Sequence, residues 1–510
     1  MIRVNIDGTE YSCEPGQLLG DFLRDVRPDI APAFVCGGHG KCGKCRIIVA
    51  SGAASPVSPE ERRLLGDDDV GRGVRLACMT RIEGDIRLAS YSYAASGGEI
   101  RIAGELPAFR RIPAFKKYGI ALDIGTTTLA AILYDADGAV IASGGSMNPQ
   151  SKYGADVVSR MEYALKGGGG ELTEAIRERI SELIAELCCD AGIGSDKIDG
   201  AVVTGNTVML SFFAGIDTEP MTHAPFIPHE LFGKTYTANE CGIDCLLPET
   251  PVYLPPCAAA FIGADVMCAT LADLREGPGD CELLADIGTN GEMIWSAGGK
   301  LFACSTAAGP AFEGAGISSG MGGFDGAVDR VKIGDGGRLE AHIIGEEKGA
   351  EAKGICGSGL IDAVRCLREL EIVDETGYME DGSAEIKPGV SLNQKDIRAV
   401  QLAKSAIHAG ILSLLNASKT SPDSVKIMHI AGGFGSFLNV ESAGRIGLIP
   451  DGFVRKTHIS GNAALAGASM LLLSLPMRSR IRELTGRVHV LELSTDDNFV
   501  NAFMEQMMFP

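Results

Sequence analysis

One motif occurs twice in this chain. Asp123-Ile124-Gly125-Thr126-Thr127-Thr128 and Asp286-Ile287-Gly288-Thr289-Asn290-Gly291 each follow a short apolar run, residues 119–122 in the first case and 283–285 in the second. Each reads as a strand that turns tightly at glycine, so that backbone N–H groups and a hydroxyl converge on one spot. Concave N–H groups of this kind bind phosphate, and a carboxylate at a strand end can hold a hydrated Mg2+. A single Asp-x-Gly-Thr is more often an ordinary hairpin turn. Two of them, each heading a similar segment, point to a duplicated fold with a triphosphate between its halves.

With 510 residues the chain is long enough for more than one domain and a large core. The net charge of −20 argues against nucleic acid or an anionic membrane as partner. Residues 1–92 hold 12 basic and 13 acidic side chains, so the acidic excess belongs to the remainder. Glycine is abundant, 67 residues, and its clustering in loops favours a ligand-cradling backbone over rigid packing. The first six residues lack an apolar signal-peptide core. The longest apolar run, about 463–475, is too short to span a bilayer and reads as a buried helix. Fifteen cysteines without an export signal suggest a reducing cytoplasm, with thiols as ligands or small core residues.

Residues 1–92 read as a separate small domain. Ile2, Val4 and Ile6 alternate, Asp7-Gly8 makes a turn, and 18–26 has helical character. Cys36, Cys42, Cys45 and Cys78 follow with the spacing Cys-x5-Cys-x2-Cys-x32-Cys. Three thiolates in one glycine-rich loop and a distant fourth suit a [2Fe–2S] centre, whose sulfurs the loop N–H groups would face. Zinc is the competing occupant, but it usually takes two separate Cys-x2–4-Cys knuckles. Cys13 reads as a strand residue and His39 as part of the ligand loop without being a ligand. Residues 93–117, with Pro107, Pro113 and a basic end, read as a linker of mixed stiffness that lets the redox module move.

From 118 the long part begins, with halves at about 118–280 and 281–475 and a C-terminal segment 476–510. Residues 171–190 form an amphipathic helix ending in Cys188-Cys189, and 202–207 a strand-to-loop transition lining the cleft. Arg160 is a phosphate ligand or, as readily, a solvated helix residue, and Cys241-x3-Cys245 lacks further partners for a metal. In the glycine-rich stretch 303–327, a mobile loop or backbone lying close to a ligand, Glu313 is a candidate for orienting an attacking water. Gly357-Ser358-Gly359 opens a helix whose N–H groups can hold an anion. A helix over 396–418 carries Lys404, a candidate nucleoside contact. After it, an apolar strand breaks into Gly432-Gly433-Phe434, where close backbone approach suits a planar ring such as adenine.

Two Asp-x-Gly-Thr loops followed by Ala-Gly-Gly-Phe-Gly at 431–435 resemble the phosphate-1, phosphate-2 and adenosine motifs of the acetate kinase, sugar kinase, chaperone and actin superfamily. The resemblance covers about 118–475. The three-plus-one cysteine spacing resembles adrenodoxin-type ferredoxins. Joined, the two modules resemble the reductive activators of corrinoid proteins. The resemblance implies an α/β plus α+β chain: a β-grasp [2Fe–2S] ferredoxin-like domain (1–92), a linker (93–117) and a duplicated RNase H-like, actin-like ATPase (118–510).

It also implies the site. Asp123 and Asp286 organise Mg2+ and water, while Gly125, Thr126, Thr127, Thr128, Gly288, Thr289, Asn290 and Gly291 hold the phosphates of ATP. The partner it implies is a corrinoid protein of a methyltransferase system, whose Co(II) is reduced to Co(I), and the cluster is refilled by a low-potential electron donor. Oligomeric state, a homodimer included, stays open. Two departures concern the docking surface: residue 117 runs almost directly into the first phosphate strand, where some members have an extra domain, and Met321–Gly326 diverges from the usual pattern. Competing readings are a small-molecule kinase with an appended redox sensor, an ATP-gated redox-sensing scaffold, and an activator of another low-potential enzyme.

Overall fold

A computed structural model of the protein describes residues 2–6, 9–27, 40, 45–65, 70–71, 73–89, 106–274, 281–433 and 438–510. Two compact units emerge: residues 1–96 with 148–175, and residues 97–147 with 176–510.

In the first unit, five strands form a sheet: β1 (Ile2–Ile6), β2 (Thr9–Cys13), β3 (Arg46–Ala54), β4 (Val74–Leu76) and β5 (Ile82–Ala89), in the order β2-β1-β5-β3-β4. β1 and β5 run parallel at the centre, flanked by antiparallel neighbours. Ile2, Val4 and Ile6 face inward, as their alternation requires, and meet Leu19, Phe22 and Leu23 of the helix Leu19–Val26. A sheet closed over one helix is the β-grasp expected. Cys13 is a buried strand residue.

The second unit holds two six-stranded sheets. The first contains β6 (Tyr118–Ile124), β7 (Thr128–Asp135), β8 (Val140–Met147), β9 (Ile198–Gly205), β10 (Lys234–Thr237) and β11 (Pro251–Leu254), in the order β10-β11-β9-β6-β7-β8. The second opens with β12 (Glu282–Ile287), β13 (Gly291–Ala297) and β14 (Lys300–Thr306). An insertion follows, made of β15 (Ala327–Ile333), β16 (Leu339–Ile343) and β17 (Gly354–Ile355) in one small sheet and the hairpin β18 (Ser383–Lys387) and β19 (Val390–Asn393). The chain then returns as β20 (Ile427–Ala431), β21 (Thr457–Gly461) and β22 (Val488–Val490), giving the order β21-β20-β12-β13-β14-β22. In both sheets an antiparallel three-strand meander is extended by two parallel strands, β9 and β11 in one, β20 and β21 in the other. That repeated order is the duplicated RNase H-like fold, and it puts Asp123 and Asp286 at matching strand ends.

Two helices join the halves. Ala264–Asp273 and Ala463–Leu473 share one apolar core fed by Leu284 and Ile294 of the second sheet and Ala121 and Val202 of the first. Every residue of Ala463–Leu473 is buried, as a helix apolar all round apart from Ser469 demands. The helices approach so closely that a Cβ on Gly467 would lie 2.0 Å from the Cys268 carbonyl oxygen.

One expected boundary is corrected. The stretch 106–117 belongs to the core of the second unit and not to a loose linker. Ile112 and Ala114 donate their N–H groups to Leu473 and Leu472 (2.9 and 2.8 Å), and Phe115 fills the space beside Gly119 and Gly200. The prolines there are outweighed by three apolar anchors, Leu106, Phe109 and Phe115. The remaining linker residues, 93–105, and Asp7-Gly8 lie outside the described residues. Residues 148–175 group with the first unit. They close a polar knot of their own: Gln150 Nε2 donates to the Leu172 carbonyl (2.9 Å), and the buried Arg160 donates to Gly154 and Gln150 (2.9 and 3.3 Å). Arg160 is therefore neither a solvated residue nor shown on a phosphate.

Gly467→Ala should destabilise the protein by about 1–3 kcal/mol through overpacking against Cys268. Urea unfolding followed by circular dichroism checks this, and an unchanged midpoint would contradict the helix crossing.

Candidate functional site

The two turns take the shape their motifs imply. Ile124 pairs with Leu129, so Gly125 to Thr128 turns the chain; a Cβ at Gly125 would lie 2.7 Å from the Thr128 carbonyl oxygen. Ile287 pairs with Gly291, and the Gly288 N–H donates to Asn290 O (2.9 Å) to close the second turn. Glu313 joins the turns. Thr127 Oγ1 donates to its Oε2 (2.7 Å), and the Thr289 N–H and Oγ1 both donate to its Oε1 (2.8 and 3.0 Å). Asn206, which caps the helix Thr207–Ala214, donates Nδ2 to Thr126 Oγ1 (3.2 Å). Asn462 caps Ala463–Leu473 and reaches across from the second half to donate Nδ2 to Asp123 Oδ2 (3.1 Å). Gly432 has φ +92, and any Cβ there would lie 2.5 Å from Asp286 Oδ1, so the bare backbone passes the carboxylate.

Electrostatically the cleft is strained. Burial, and then the neighbouring Asp265, push Asp123 up to about 7, with Asn462 pulling the other way. Burial followed by Asp265 and Asp123 pushes Asp286 up to about 8. Asp265, at the start of Ala264–Asp273, is raised by burial to about 6. Glu292, paired with Asp286 in the strand register, is also raised well above the ordinary range, chiefly by burial. Crowded carboxylates of this kind can take part in holding a hydrated Mg2+, which binds through one or two carboxylates plus water and substrate phosphates.

In the first unit, Cys45 and Cys78 are buried with their Sγ atoms 3.1 Å apart, well beyond the ~2.05 Å of a disulfide. Cys36, Cys42 and His39 lie outside the described residues. The turn that carries Cys78 is fixed by Glu61, which is fully buried. Its carboxylate accepts from Arg75 Nε and Nη2 (3.0 and 3.0 Å), the Leu76 N–H (2.7 Å) and Thr80 Oγ1 (3.3 Å). Two thiols converging in a dry, rigid setting fit an iron–sulfur cluster.

Comparison with known proteins agrees. The profile of the 2Fe-2S iron-sulfur cluster binding domain matches residues 2–83, that of the RACo middle region residues 118–274, and that of the C-terminal domain of RACo, the ASKHA domain, residues 280–510. The corrinoid activation enzyme RamQ of Eubacterium limosum is 33% identical over 426 residues, covering 77% of this chain and 70% of that protein. The chain belongs to the reductive activators of corrinoid proteins. The [Co(II) methylated amine-specific corrinoid protein] reductase of Methanosarcina barkeri is 27% identical, covering 77% of each protein. A solved structure described as a reductive activator for corrinoid, iron-sulfur protein is 27% identical and superposes with a TM-score of 0.69, covering 100% of this chain and 98% of that one.

Not every expected site residue of this activator faces the cleft. Lys404 is buried and is corrected. Its ammonium donates to the carbonyls of Gln506 and Met508 (2.5 and 2.6 Å) and lies over the Phe509 ring, so its donors serve the chain's last residues and not a nucleoside. Gly291 is a packing residue, because a Cβ there would meet Ile407 Cδ1 at 2.1 Å. Thr128 opens β7 opposite Met147. Gly357 and Ser358 are buried at the start of the helix Gly357–Glu369, with Ser358 Oγ 3.3 Å from Cys356 Sγ. Among the described residues nothing would meet a Cβ at Gly433, and Phe434 lies outside them.

Asp265 and Glu61 were not singled out from the sequence, and Asn206 and Asn462 were given no role of their own. For the asparagines a signal existed: Gly205-Asn206 and Gly461-Asn462 each close a strand and open an apolar helix. Glu61 and Asp265 look like any solvated helix acid.

Two outcomes follow from these geometries. Glu61→Ala should cost about 3–5 kcal/mol, since it leaves Arg75 buried and unpaired. Anaerobically purified variant should hold less iron per chain than wild type, and full iron content with unchanged stability would refute the role. The second outcome concerns pH. Asp123 and Asp286 bind protons in the folded state that the unfolded chain, at an ordinary 3.8, has released. Stability in EDTA should therefore fall as pH rises from 6 to 8.5, where unperturbed carboxylates are already ionised. Mg-ATP should abolish most of that fall in melting temperature.

Proposed function

We propose that this activator uses ATP in the cleft between its halves to help one electron pass from a [2Fe–2S] cluster on its N-terminal domain to a partner corrinoid protein, taking Co(II) to Co(I). One observation carries the reading. A single chain joins two converging buried thiols in a ferredoxin sheet to two phosphate turns that meet at Glu313 beside half-buried carboxylates. The names of its relatives describe activities of this kind.

A cluster held by Cys36, Cys42, Cys45 and Cys78 would supply single electrons, at about −400 mV in plant-type ferredoxins. Against a lower cobalt couple, each ~59 mV costs about 1.4 kcal/mol for one electron. ATP offsets that cost only by binding one conformation of the complex better than another. In the cleft, Asp123 and Asp286 would hold hydrated Mg2+, with Asn462 keeping Asp123 oriented. Gly125, Thr126, Thr127, Gly288, Thr289 and Asn290 receive phosphate oxygens, and Gly432-Gly433-Phe434 passes the base. Glu313 stands beside both turns, within reach of a water aligned on the terminal phosphate. The partner belongs to a methyltransferase system and a low-potential donor refills the cluster. The protein works in the cytoplasm, where its thiols stay reduced, and a homodimer is compatible with this chemistry. No helix among the described residues is long and apolar enough to cross a membrane.

Reduced protein mixed with a Co(II) corrinoid protein should develop the Co(I) absorbance only when Mg-ATP is added. Reduction that ignores ATP, or a phosphorylated small molecule in place of Co(I), would count against this reading.

A further inference from the structure

We infer that the Glu313 carboxylate competes with the terminal phosphate of ATP for one set of donors, and that its displacement is what distinguishes ATP from ADP in this cleft. The inference rests on the ATP reading above and adds to it a role for the clasp between the halves.

Both carboxylate oxygens are engaged. Oε2 takes the Thr127 hydroxyl of the first half, and Oε1 takes the Thr289 hydroxyl and N–H of the second. These are the groups each Asp-x-Gly-Thr turn offers to phosphate. A hydroxyl has one proton and an N–H one direction, so neither can serve a carboxylate and a phosphate oxygen together. Like charges held on shared donors also repel, which rules out a compromise geometry.

The clasp is asymmetric. Glu313 ends the short turn Pro310–Glu313, and that turn is tied to the second half by the Gly309 N–H donating to Thr289 O (2.9 Å). Only the Thr127 leg crosses to the first half. When a phosphate takes these donors, Glu313 leaves Thr127, and a link between the halves opens while the phosphate bridges them instead. A nucleotide too short to reach both turns leaves the carboxylate in place. Glu313 thereby reads the third phosphate as an interaction made in one conformation and not the other, which is what coupling requires. Once displaced, it remains beside that phosphate, where it can align a water.

The test uses the full-length protein, with Mg-ATP and Mg-ADP titrated by calorimetry and ATP turnover measured in parallel. Glu313→Ala should tighten ATP on the order of tenfold, since competing hydrogen bonds to a charged group are removed, and leave ADP within about twofold. Turnover should fall on the order of a hundredfold as the aligned water is lost. Glu313→Gln, which keeps shape but not charge, should give a smaller gain for ATP. This milder variant carries the test if Glu313→Ala folds poorly. ATP and ADP shifting together, or ATP binding weakening in both variants, would overturn the inference. Wild-type protein that binds neither nucleotide would instead overturn the proposed function.

Discussion

Three carboxylates, Asp123, Asp265 and Asp286, crowd a half-buried cleft at the seam between two halves of one fold, where desolvation, joined at Asp123 and Asp286 by repulsion, raises them. A whole domain is stable by only about 5–15 kcal/mol, so a seam lined by like charges gains little cohesion from polar contacts. It is held by the apolar pair Ala264–Asp273 and Ala463–Leu473, whose backbones touch at Gly467. The duplication supplies the strand ends, the helix pair supplies cohesion, and the carboxylates are tolerated between them.

The same arrangement explains how a cleft of this kind responds to a ligand. Asn462 and Glu313 are bonded across the halves at the positions where cation and phosphate are expected. A divalent ion neutralises the carboxylates, and a phosphate takes over the threonines, so both alter the forces across the seam and not only within one half. A purely apolar hinge would transmit nothing, because a ligand shifts a conformational equilibrium only through contacts that differ between its states.

Much of this was legible from residues alone, and the reasons are physical. A strand ending in Asp-x-Gly-Thr announces its turn locally, because glycine and the alternation of apolar residues act within a few positions. The cysteine spacing works the same way. What was not legible depends on partners distant in sequence. Asp265 becomes special only because a second sheet buries it beside Asp286, and Glu61 only because Arg75 and the Leu76 N–H close on it. The stretch 106–117 packs because Phe109 and Phe115 find distant partners in the second unit, which its prolines do not announce. The fold class needed only the repeat; the electrostatics of the cleft needed the assembled sheets.

Lys404 shows how a residue in a ligand-like motif can acquire a structural task. It lies on the helix Gln394–Ala417, whose Ile407 packs where Gly291 leaves room at the start of β13. From the same helix Gln401 Nε2 donates to Met507 O (2.7 Å) and Ser405 Oγ to Gln506 O (2.7 Å), beside the two bonds made by Lys404. Residues 506–510 are thus strapped to the element that backs the second phosphate turn. Burial lowers the Lys404 ammonium to about 8, so the strap is bought against desolvation and persists because carbonyls and the Phe509 ring surround the charge. Glycine here follows the same logic: at 291 and 467 its value is the missing side chain, which lets helices seat directly behind the site, and the expectation that abundant glycine means a pliant backbone gives way to close packing.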